Sequence, residues 1–144
     1  MVAATRARNT RSKITQGGGI GSAPVAASTI IYKGSIVAIS AAGYAIPATD
    51  TAGLLVVGIA HETVDNSAGA AGAKVIRYVY GRRFNLTASG TINQSSVGDM
   101  LMVADDSTVT DATTATNDIA VGTCVEYVSA TEVWVEVLGR RSAT

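Results

Sequence analysis

The stretch Lys33-Gly34-Ser35-Ile36-Val37-Ala38-Ile39 decides the fold, because a similar stretch follows 64 residues later as Val97-Gly98-Asp99-Met100-Leu101-Met102-Val103. In both stretches a glycine and a small polar or acidic residue precede four apolar residues. This pattern is typical of a short buried strand that follows a turn. The repetition indicates that one structural unit occurs twice.

Further matches extend the repeat at the same offset. The segment 45–49 corresponds to 109–113, and Leu55-Val56-Val57-Gly58 corresponds to Ile119-Ala120-Val121-Gly122. Four glycines, at positions 34, 58, 98 and 122, are therefore in register. The sequence predicts an internal duplication rather than the general self-similarity of a glycine-rich chain.

Both copies are predicted to end alike, on Tyr80-Gly81-Arg82-Arg83 and Leu138-Gly139-Arg140-Arg141. The offset here is 58, which predicts that the second copy lacks six residues of the loop 66–72. The repeat halves are then about 29–83 and 93–141. The two Gly-Arg-Arg triplets either end strands with edge cations, which discourage unwanted pairing, or form a paired contact surface.

The composition favours sheet and turns over helix. Of the 144 residues, 47% are hydrophobic, 5% are aromatic and 15 are glycine. Small and β-branched residues fit strands, but they bury little area each, so the isolated chain is expected to have a thin stability margin. Oligomerisation is a common remedy.

Short apolar segments bounded by turn residues predict ten strands. These are 29–32, 35–40, 44–47, 54–60, 74–80, 82–87, 99–104, 107–110, 119–126 and 131–138. The strongest helical candidate, 111–118, is short and rich in Thr and Ala. The predicted fold is all-β, with two similar halves that close on each other into a small barrel or sandwich.

Residues 1–28 are predicted to be a flexible basic arm, and 29–144 a single β domain. The arm carries four cations in its first half and no acidic residue, whereas all eleven acidic residues lie beyond position 49. The arm cations are candidates for contact with a capsid or a neighbouring subunit: Arg6, Arg8, Arg11 and Lys13. The arm has no aromatic residue for base stacking and the body is acidic, so direct nucleic-acid binding is not expected.

Few residues offer catalytic chemistry. One cysteine and one histidine exclude an intramolecular disulfide framework and a thiolate zinc site. His61 is interpreted as a polar residue at a strand end, Cys124 as a buried structural thiol, and 17–21 as a linker rather than a phosphate loop. The protein is therefore predicted not to be an enzyme.

No metal, cofactor or membrane is expected as a partner. The aspartates 99, 105, 106, 111 and 118 do not have the spacing of a calcium loop and are predicted to be solvated turn residues. The longest apolar run, 54–60, is much shorter than the roughly 20 residues of a membrane span.

The repeated motifs resemble those of the head decoration, or capsid cement, proteins of tailed bacteriophages. The first set is Lys33-Gly34-Ser35-Ile36-Val37, Val57-Gly58-Ile59-Ala60 and Tyr80-Gly81; the second is Val97-Gly98-Asp99-Met100-Leu101, Val121-Gly122-Thr123 and Val133-Trp134-Val135-Glu136-Val137. The resemblance covers residues 29 to 139, and Gly34-Ser35 departs from the Gly-Asp of the second copy.

The resemblance implies a non-enzymatic virion protein, made in the bacterial cytoplasm, that binds major capsid protein subunits on the outer capsid surface and stabilises the capsid. It also implies self-association, as a homotrimer. The alternative function is a soluble binding module, such as a carbohydrate-binding or tail-fibre-associated β domain. The low aromatic content disfavours a sugar-binding platform.

Overall fold

The computed structural model describes residues 19–137, which form twelve strands and one 3-10 turn, Gln94–Ser96. The strands are β1 Gly19–Pro24, β2 Thr29–Ile31, β3 Ile36–Ile39, β4 Ala45–Pro47, β5 Leu55–Ala60, β6 Val64–Asn66, β7 Val75–Tyr80, β8 Arg82–Ala88, β9 Met100–Val103, β10 Thr108–Thr110, β11 Ala120–Ser129 and β12 Glu132–Val137. The predicted all-β class is confirmed. The helical candidate 111–118 contains turns and bends but no helix.

Five strands of the second half form a closed barrel in the order β10-β8-β12-β11-β9. All pairs are antiparallel except β8 with β10, which run parallel and close the barrel through Thr87–Thr108 and Ala88–Val109. We call this unit the C-terminal barrel.

The first half forms a five-stranded sheet in the order β1-β7-β5-β3-β4. In the repeat, β1, β7, β5, β3 and β4 correspond to β8, β12, β11, β9 and β10. The strand order is therefore the same as in the C-terminal barrel. The two edges of this sheet also meet, because Val25 and Ala45 form a parallel bridge and the Ala26 amide donates to the Ala45 carbonyl oxygen at 3.0 Å. The Ser89 amide donates to the Val109 carbonyl oxygen at the same distance in the other half. We call the curled sheet the N-terminal barrel.

The strand registers agree as well. Val37 of β3 pairs with Gly58 of β5, and Leu101 of β9 pairs with Gly122 of β11. Each pair is followed by a register shift at the same repeat position. A β-bulge is a specific local feature, so its recurrence at equivalent residues supports a true duplication.

Glycine is required at the two bulges because neighbouring backbone comes very close. A Cβ at Gly58 would lie 2.5 Å from the Val79 carbonyl oxygen, and one at Gly122 would lie 2.2 Å from that of Glu136. The glycines before β3 and β9 have another reason: Gly34 and Gly98 have φ values of 90° and 96°, which side chains other than hydrogen disfavour.

Four details of the predicted organisation are corrected. Residues 19–24, placed in the arm, form β1 and pair with β7. The two halves do not close on each other: the second half closes on itself, and the sheet of the first half curls until its edges meet at the Val25–Ala45 bridge. Arg82 and Arg83 begin β8 rather than end the first half. Ile59 pairs with Val79, and its repeat partner Thr123 pairs with Glu136, so the offset between β7 and β12 is 57 rather than the predicted 58. The second copy therefore lacks seven residues rather than six.

The extra residues of the first half extend a small appendage that β2 and β6 form. Strand β2 pairs with β6, and the loop after β6 is held by Asn66, whose side-chain amide donates to the carbonyl oxygens of Ala26 and Ala70. In the second half β11 runs directly into β12 through a tight hairpin. The appendage therefore lies at the predicted position of the insertion.

Each barrel has its own apolar interior, and apart from Ile31 of β2 the interior residues of one barrel have equivalents in the other. That of the N-terminal barrel contains Ala23, Val25, Ile31, Val37, Ala45, Val57, Ala60 and Ile76. The C-terminal barrel places Leu86, Ala88, Leu101, Val109, Val121, Cys124 and Val133 at corresponding positions. The same side-chain alternation thus builds both cores.

Candidate interaction site

The barrels join through an asymmetric contact between a face and an end. Ile36, Ala38, Val56 and Ile59 alternate with the interior residues of the N-terminal barrel, so they face out of it. They are nonetheless buried, in one cluster with the interior of the C-terminal barrel. The outer face of one barrel therefore covers part of the other.

Hydrogen bonds locate this contact at one end of the C-terminal barrel. The Ile36 amide donates to the carbonyl oxygen of Asp106 at 2.7 Å, and the Ser35 hydroxyl donates to the carboxylate of Asp106 at 3.2 Å. Asp106 lies in the turn between β9 and β10, so the covered end is the one where β9 finishes and β10 begins. Val103, Val135 and Val137 at this end are fully buried.

A second connection lies beside the first. The Asp50 carboxylate accepts hydrogen bonds from the amides of Thr116 and Asn117 at 2.8 and 2.9 Å, and the Asn117 side chain donates to the Asp50 carbonyl oxygen. The two amide donors hold the pKa of Asp50 below its usual range. This carboxylate is a polar clip between the two barrels.

Within residues 19–137, no element covers the corresponding end of the N-terminal barrel. Ile39, Leu55 and Tyr78 take the places of Val103, Ile119 and Val135, and they are only half-buried. Tyr80 corresponds to the fully buried Val137 and is 36% exposed. The same strand positions are therefore covered in one barrel and accessible in the other.

A cavity of about 280 Å³ lies beside these residues. It is lined by Ser22, Ala23, Pro24, Ile39, Gly43, Leu55, Val57 and Tyr78. The adjacent rim includes the exposed turn residues Ala41, Ala42 and Gly43. We call Ile39, the turn 40–44, Leu55, Tyr78 and Tyr80 the open end; all of these residues are uncharged. Depletion of charge and presence of aromatic side chains are features of interface cores.

Sequence reasoning missed the open end. The signal that could have found it is the aligned turn of the repeat, which reads Ser40-Ala41-Ala42-Gly43-Tyr44 in one copy and Ala104-Asp105-Asp106-Ser107-Thr108 in the other. Two acidic residues are present in the turn that contacts the neighbouring barrel, and none is present in the accessible turn.

The arginines predicted to form a contact surface are only partly described. Arg82 pairs with Val137 and Arg83 with Glu136 at the start of β8, and both arginines are exposed. Because successive strand residues point to opposite faces, these two side chains do not share one face of the sheet. Arg140 and Arg141 lie outside the described residues, so the pairing of the two triplets stays a prediction.

The four arm cations, Arg6, Arg8, Arg11 and Lys13, also lie outside the described residues. Their predicted contact with a capsid or subunit is untested. The first described residue, Gly19, begins β1 opposite Tyr80 and thus at the open end. The basic segment is therefore attached to the chain beside that surface.

The carboxylate next to the only histidine has another partner. Glu62 forms an ion pair with Arg77, in which Nη2 of Arg77 lies 3.1 Å from Oε1, and it also accepts hydrogen bonds from Nε and the amide of Arg77. These bonds lower the pKa of Glu62. His61 is exposed at the end of β5, as predicted for a polar strand-end residue.

Cys124 is a buried thiol, as predicted, and burial raises its pKa. A raised thiol pKa disfavours the nucleophilic thiolate. The side chain occupies the repeat position of Ala60 in the barrel interior.

Of the five predicted turn aspartates, Asp105 and Asp111 serve turns, whereas Asp106 accepts hydrogen bonds from the other barrel. Asp105 accepts hydrogen bonds from the amide and the hydroxyl of Ser107, and Asp111 accepts from the Thr91 amide and the Thr113 and Thr114 hydroxyls. Desolvation acts to raise the pKa of Asp111, but these bonds outweigh it and hold the pKa well below its usual range. Across residues 19–137, no group of three His, Cys, Asp or Glu side chains is arranged to hold a metal ion.

Comparison with protein-family models and with curated proteins gives no match. Of the elements described here, none is a helix long and apolar enough to cross a membrane. The open end is the strongest candidate for an interaction surface, because the same end of the C-terminal barrel is covered by the outer face of β3 and β5.

Proposed function

We propose that the protein is a structural virion component that decorates the outer surface of a tailed-bacteriophage capsid and stabilises it by binding major capsid protein subunits. In this role it has no catalytic residues. It is made in the cytoplasm of the bacterial host and functions on the virion.

The observation that carries the proposal is the structural role of the motif residues. Gly34, Gly58, Gly98 and Gly122, on which the resemblance to decoration proteins depends, are the turn and bulge glycines of both barrels. The resemblance therefore rests on residues that build the fold rather than on scattered matches. This supports a shared architecture and, with it, a shared structural role.

The surface of the described residues fits such a role. Apolar side chains are also exposed outside the open end, at Val97, Val128 and Trp134 of the C-terminal half. An apolar contact gives an attachment that salt weakens little, while the cations of the arm set orientation and on-rate more than affinity.

The test is co-sedimentation of the purified full chain with expanded heads of the phage that encodes it. The heads should lack their own decoration protein, and insoluble polysaccharide serves as the comparison. We expect saturable binding to heads and none to polysaccharide. Binding to polysaccharide alone would instead favour the soluble binding module.

A charge variant tests how the attachment is made. In this variant Arg6, Arg8, Arg11 and Lys13 are all changed to Gln. We expect wild-type occupancy on heads to persist to roughly molar salt, and the variant to bind more slowly with similar final occupancy. Loss of the wild-type protein at moderate salt would show that charge dominates the attachment.

A further inference from the structure

We infer that the open end of the N-terminal barrel is a docking site for a second copy of this chain, and that it binds the outer face of that copy's C-terminal barrel. The contact is head to tail and repeats between molecules the contact that joins the two barrels within one molecule. This inference does not rest on the proposed function.

The internal contact supplies the template. One barrel end is covered by the outer face of strands β3 and β5, and this cover leaves Val103, Val135 and Val137 fully buried. The other barrel end has the same strand order and register, yet none of the elements formed by residues 19–137 covers it. A cover of the same shape is therefore suited to it.

The required cover exists elsewhere in the chain. The repeat partners of Ile36, Ala38, Val56 and Ile59 are Met100, Met102, Ala120 and Thr123 on β9 and β11. These four side chains are half-buried, and none is charged. Methionine is flexible and polarizable, which suits a surface that must adapt to a partner.

The distribution of charged residues in the N-terminal barrel also favours docking at the open end. Lys33, Glu62, Asp65, Lys74 and Arg77 belong to the appendage or to strand positions away from the open end, and the carboxylate of Asp50 is held in the polar clip to the other barrel. The open end itself is uncharged and contains two tyrosines, Tyr78 and Tyr80, whose rings pack edge to face. A second copy meets little desolvation cost there, because no charged group has to lose its water.

The geometry of the contact dictates the type of association. The open end and the Met100–Met102 face are different surfaces, so the contact is heterologous rather than two-fold symmetric. Such contacts close into a ring or extend into a chain. Each molecule then binds one neighbour through its Met100–Met102 face and a second neighbour through its open end.

Two substitutions remove one surface each. Ala42→Arg places a long cation in the exposed rim turn of the open end, and Met102→Glu places a charge on the opposite partner face. Ala68→Arg, in the exposed loop of the appendage, is the matched control for the first. Circular dichroism and thermal melting of each variant establish that it is folded. If Met102→Glu does not fold, Ala120→Arg on the same face replaces it.

The measurement is the mass distribution of the full chain by analytical ultracentrifugation over a concentration series. We expect wild type and Ala68→Arg to associate equally, and each surface variant alone to associate at least about tenfold more weakly. An equimolar mixture of Ala42→Arg and Ala120→Arg should give a one-to-one dimer and nothing larger, because only one intact end and one intact face can meet and the two altered surfaces carry like charges.

Other results would overturn the inference. A monomeric wild type at every concentration excludes the docking site, and a mixture that stays monomeric excludes the head-to-tail contact. Wild-type association by either surface variant also excludes it. A chain lacking residues 1–18 should still associate; if it does not, that segment rather than the Met100–Met102 face occupies the open end.

Discussion

The N-terminal and C-terminal barrels share strand order, register and bulge position, but their closures differ. In the C-terminal barrel the Thr87 amide donates to the Ser107 carbonyl oxygen at 3.3 Å, which extends the parallel pairing of β8 with β10. The corresponding residue of the N-terminal barrel is Pro24, which has no amide hydrogen. Pairing there is reduced to the Val25–Ala45 bridge. One missing donor thus separates a closed barrel from a sheet whose edges only touch.

The reduced pairing between the edges of the N-terminal sheet lies at the cavity of that barrel. Pro24 and Gly43 both line the cavity of the N-terminal barrel, and Gly43 is the repeat partner of the acceptor residue Ser107. A duplicated unit can therefore acquire a cavity through loss of a single hydrogen bond, while its interior residues keep their places. Substitutions at the bulge glycines and at the seam residues Thr87 and Pro24 should show how far the two barrels are equivalent.

The largest effect is expected at the bulge glycines. Gly122→Ala should lower the free energy of unfolding by about 3 kcal/mol, because its Cβ would meet the Glu136 backbone oxygen at 2.2 Å. Gly58→Ala should cost about 2 kcal/mol, since the approach there is 2.5 Å. Urea unfolding measures both values.

Gly53→Ala is the control for this pair. Gly53 has a φ of 88° and no atom within 4 Å of its Cβ position, so alanine there should cost only about 1 kcal/mol through backbone strain. Equal losses at all three positions would mean that crowding at the bulges is unimportant.

A proline at the closed seam should make the C-terminal barrel resemble its partner. Thr87→Pro should destabilise the protein by about 2 kcal/mol, because it removes a ladder hydrogen bond in a central strand. Thr87→Ala keeps the amide and is the control in the same urea titration. A proline variant as stable as the alanine variant would show that the seam contributes nothing.

The polar clip between the barrels should depend on pH. The pKa of Asp50 is lower in the folded chain than in the unfolded chain, so its ionised form stabilises the fold. This contribution is complete above about pH 5 and is lost as the pH falls below about 4. Asp50→Asn should therefore lower the urea midpoint clearly at pH 7 and much less at pH 3.

Asp118→Asn removes one negative charge at an exposed turn and serves as the control for this comparison. It should leave the urea midpoint nearly unchanged at both pH values. An Asp50→Asn deficit of the same size at pH 3 and pH 7 would contradict the assigned role of the carboxylate.

The smallest effect is expected from Pro24→Thr, which supplies the missing donor. The new hydrogen bond should stabilise by about 1 kcal/mol, but the loss of proline restores freedom to the unfolded chain and offsets most of it. Stability should then change by less than about 0.5 kcal/mol. Hydrogen exchange gives the sharper measurement: the new amide of residue 24 should be protected if the seam closes and exchange rapidly if it does not.

All ten strands predicted from apolar segments are present, because period-two alternation reports burial in a sheet directly. Strands β1 and β6 were missed: β6 has only three residues, and Gly19-Ile20-Gly21-Ser22-Ala23-Pro24 of β1 has almost no large side chain of its own. Its interior positions are instead filled from the partner strand, where the rings of Tyr78 and Tyr80 lie against Gly21 and Gly19. No pattern within residues 19–24 could have shown this.

The duplication was predictable from the glycines, but the closure of each half was not. Closure within a half depends on the parallel pairing of β8 with β10, between residues about twenty apart. Such pairing leaves no local signature. The open end was hidden for a related reason: Ile39 and Val103 are equally apolar in sequence, and only the position of the neighbouring barrel makes one exposed and the other buried.

The contact between the barrels also has a consequence for synthesis on the ribosome. All strands of the N-terminal barrel precede Gly81, so this barrel emerges first, and Ile36, Ala38, Val56 and Ile59 have no cover until the second copy has been translated. During that interval the nascent chain displays an apolar face that can capture another nascent chain on the same messenger. The single-residue link at Gly81 limits this interval to the translation of the second copy itself, since no linker has to be made before β8.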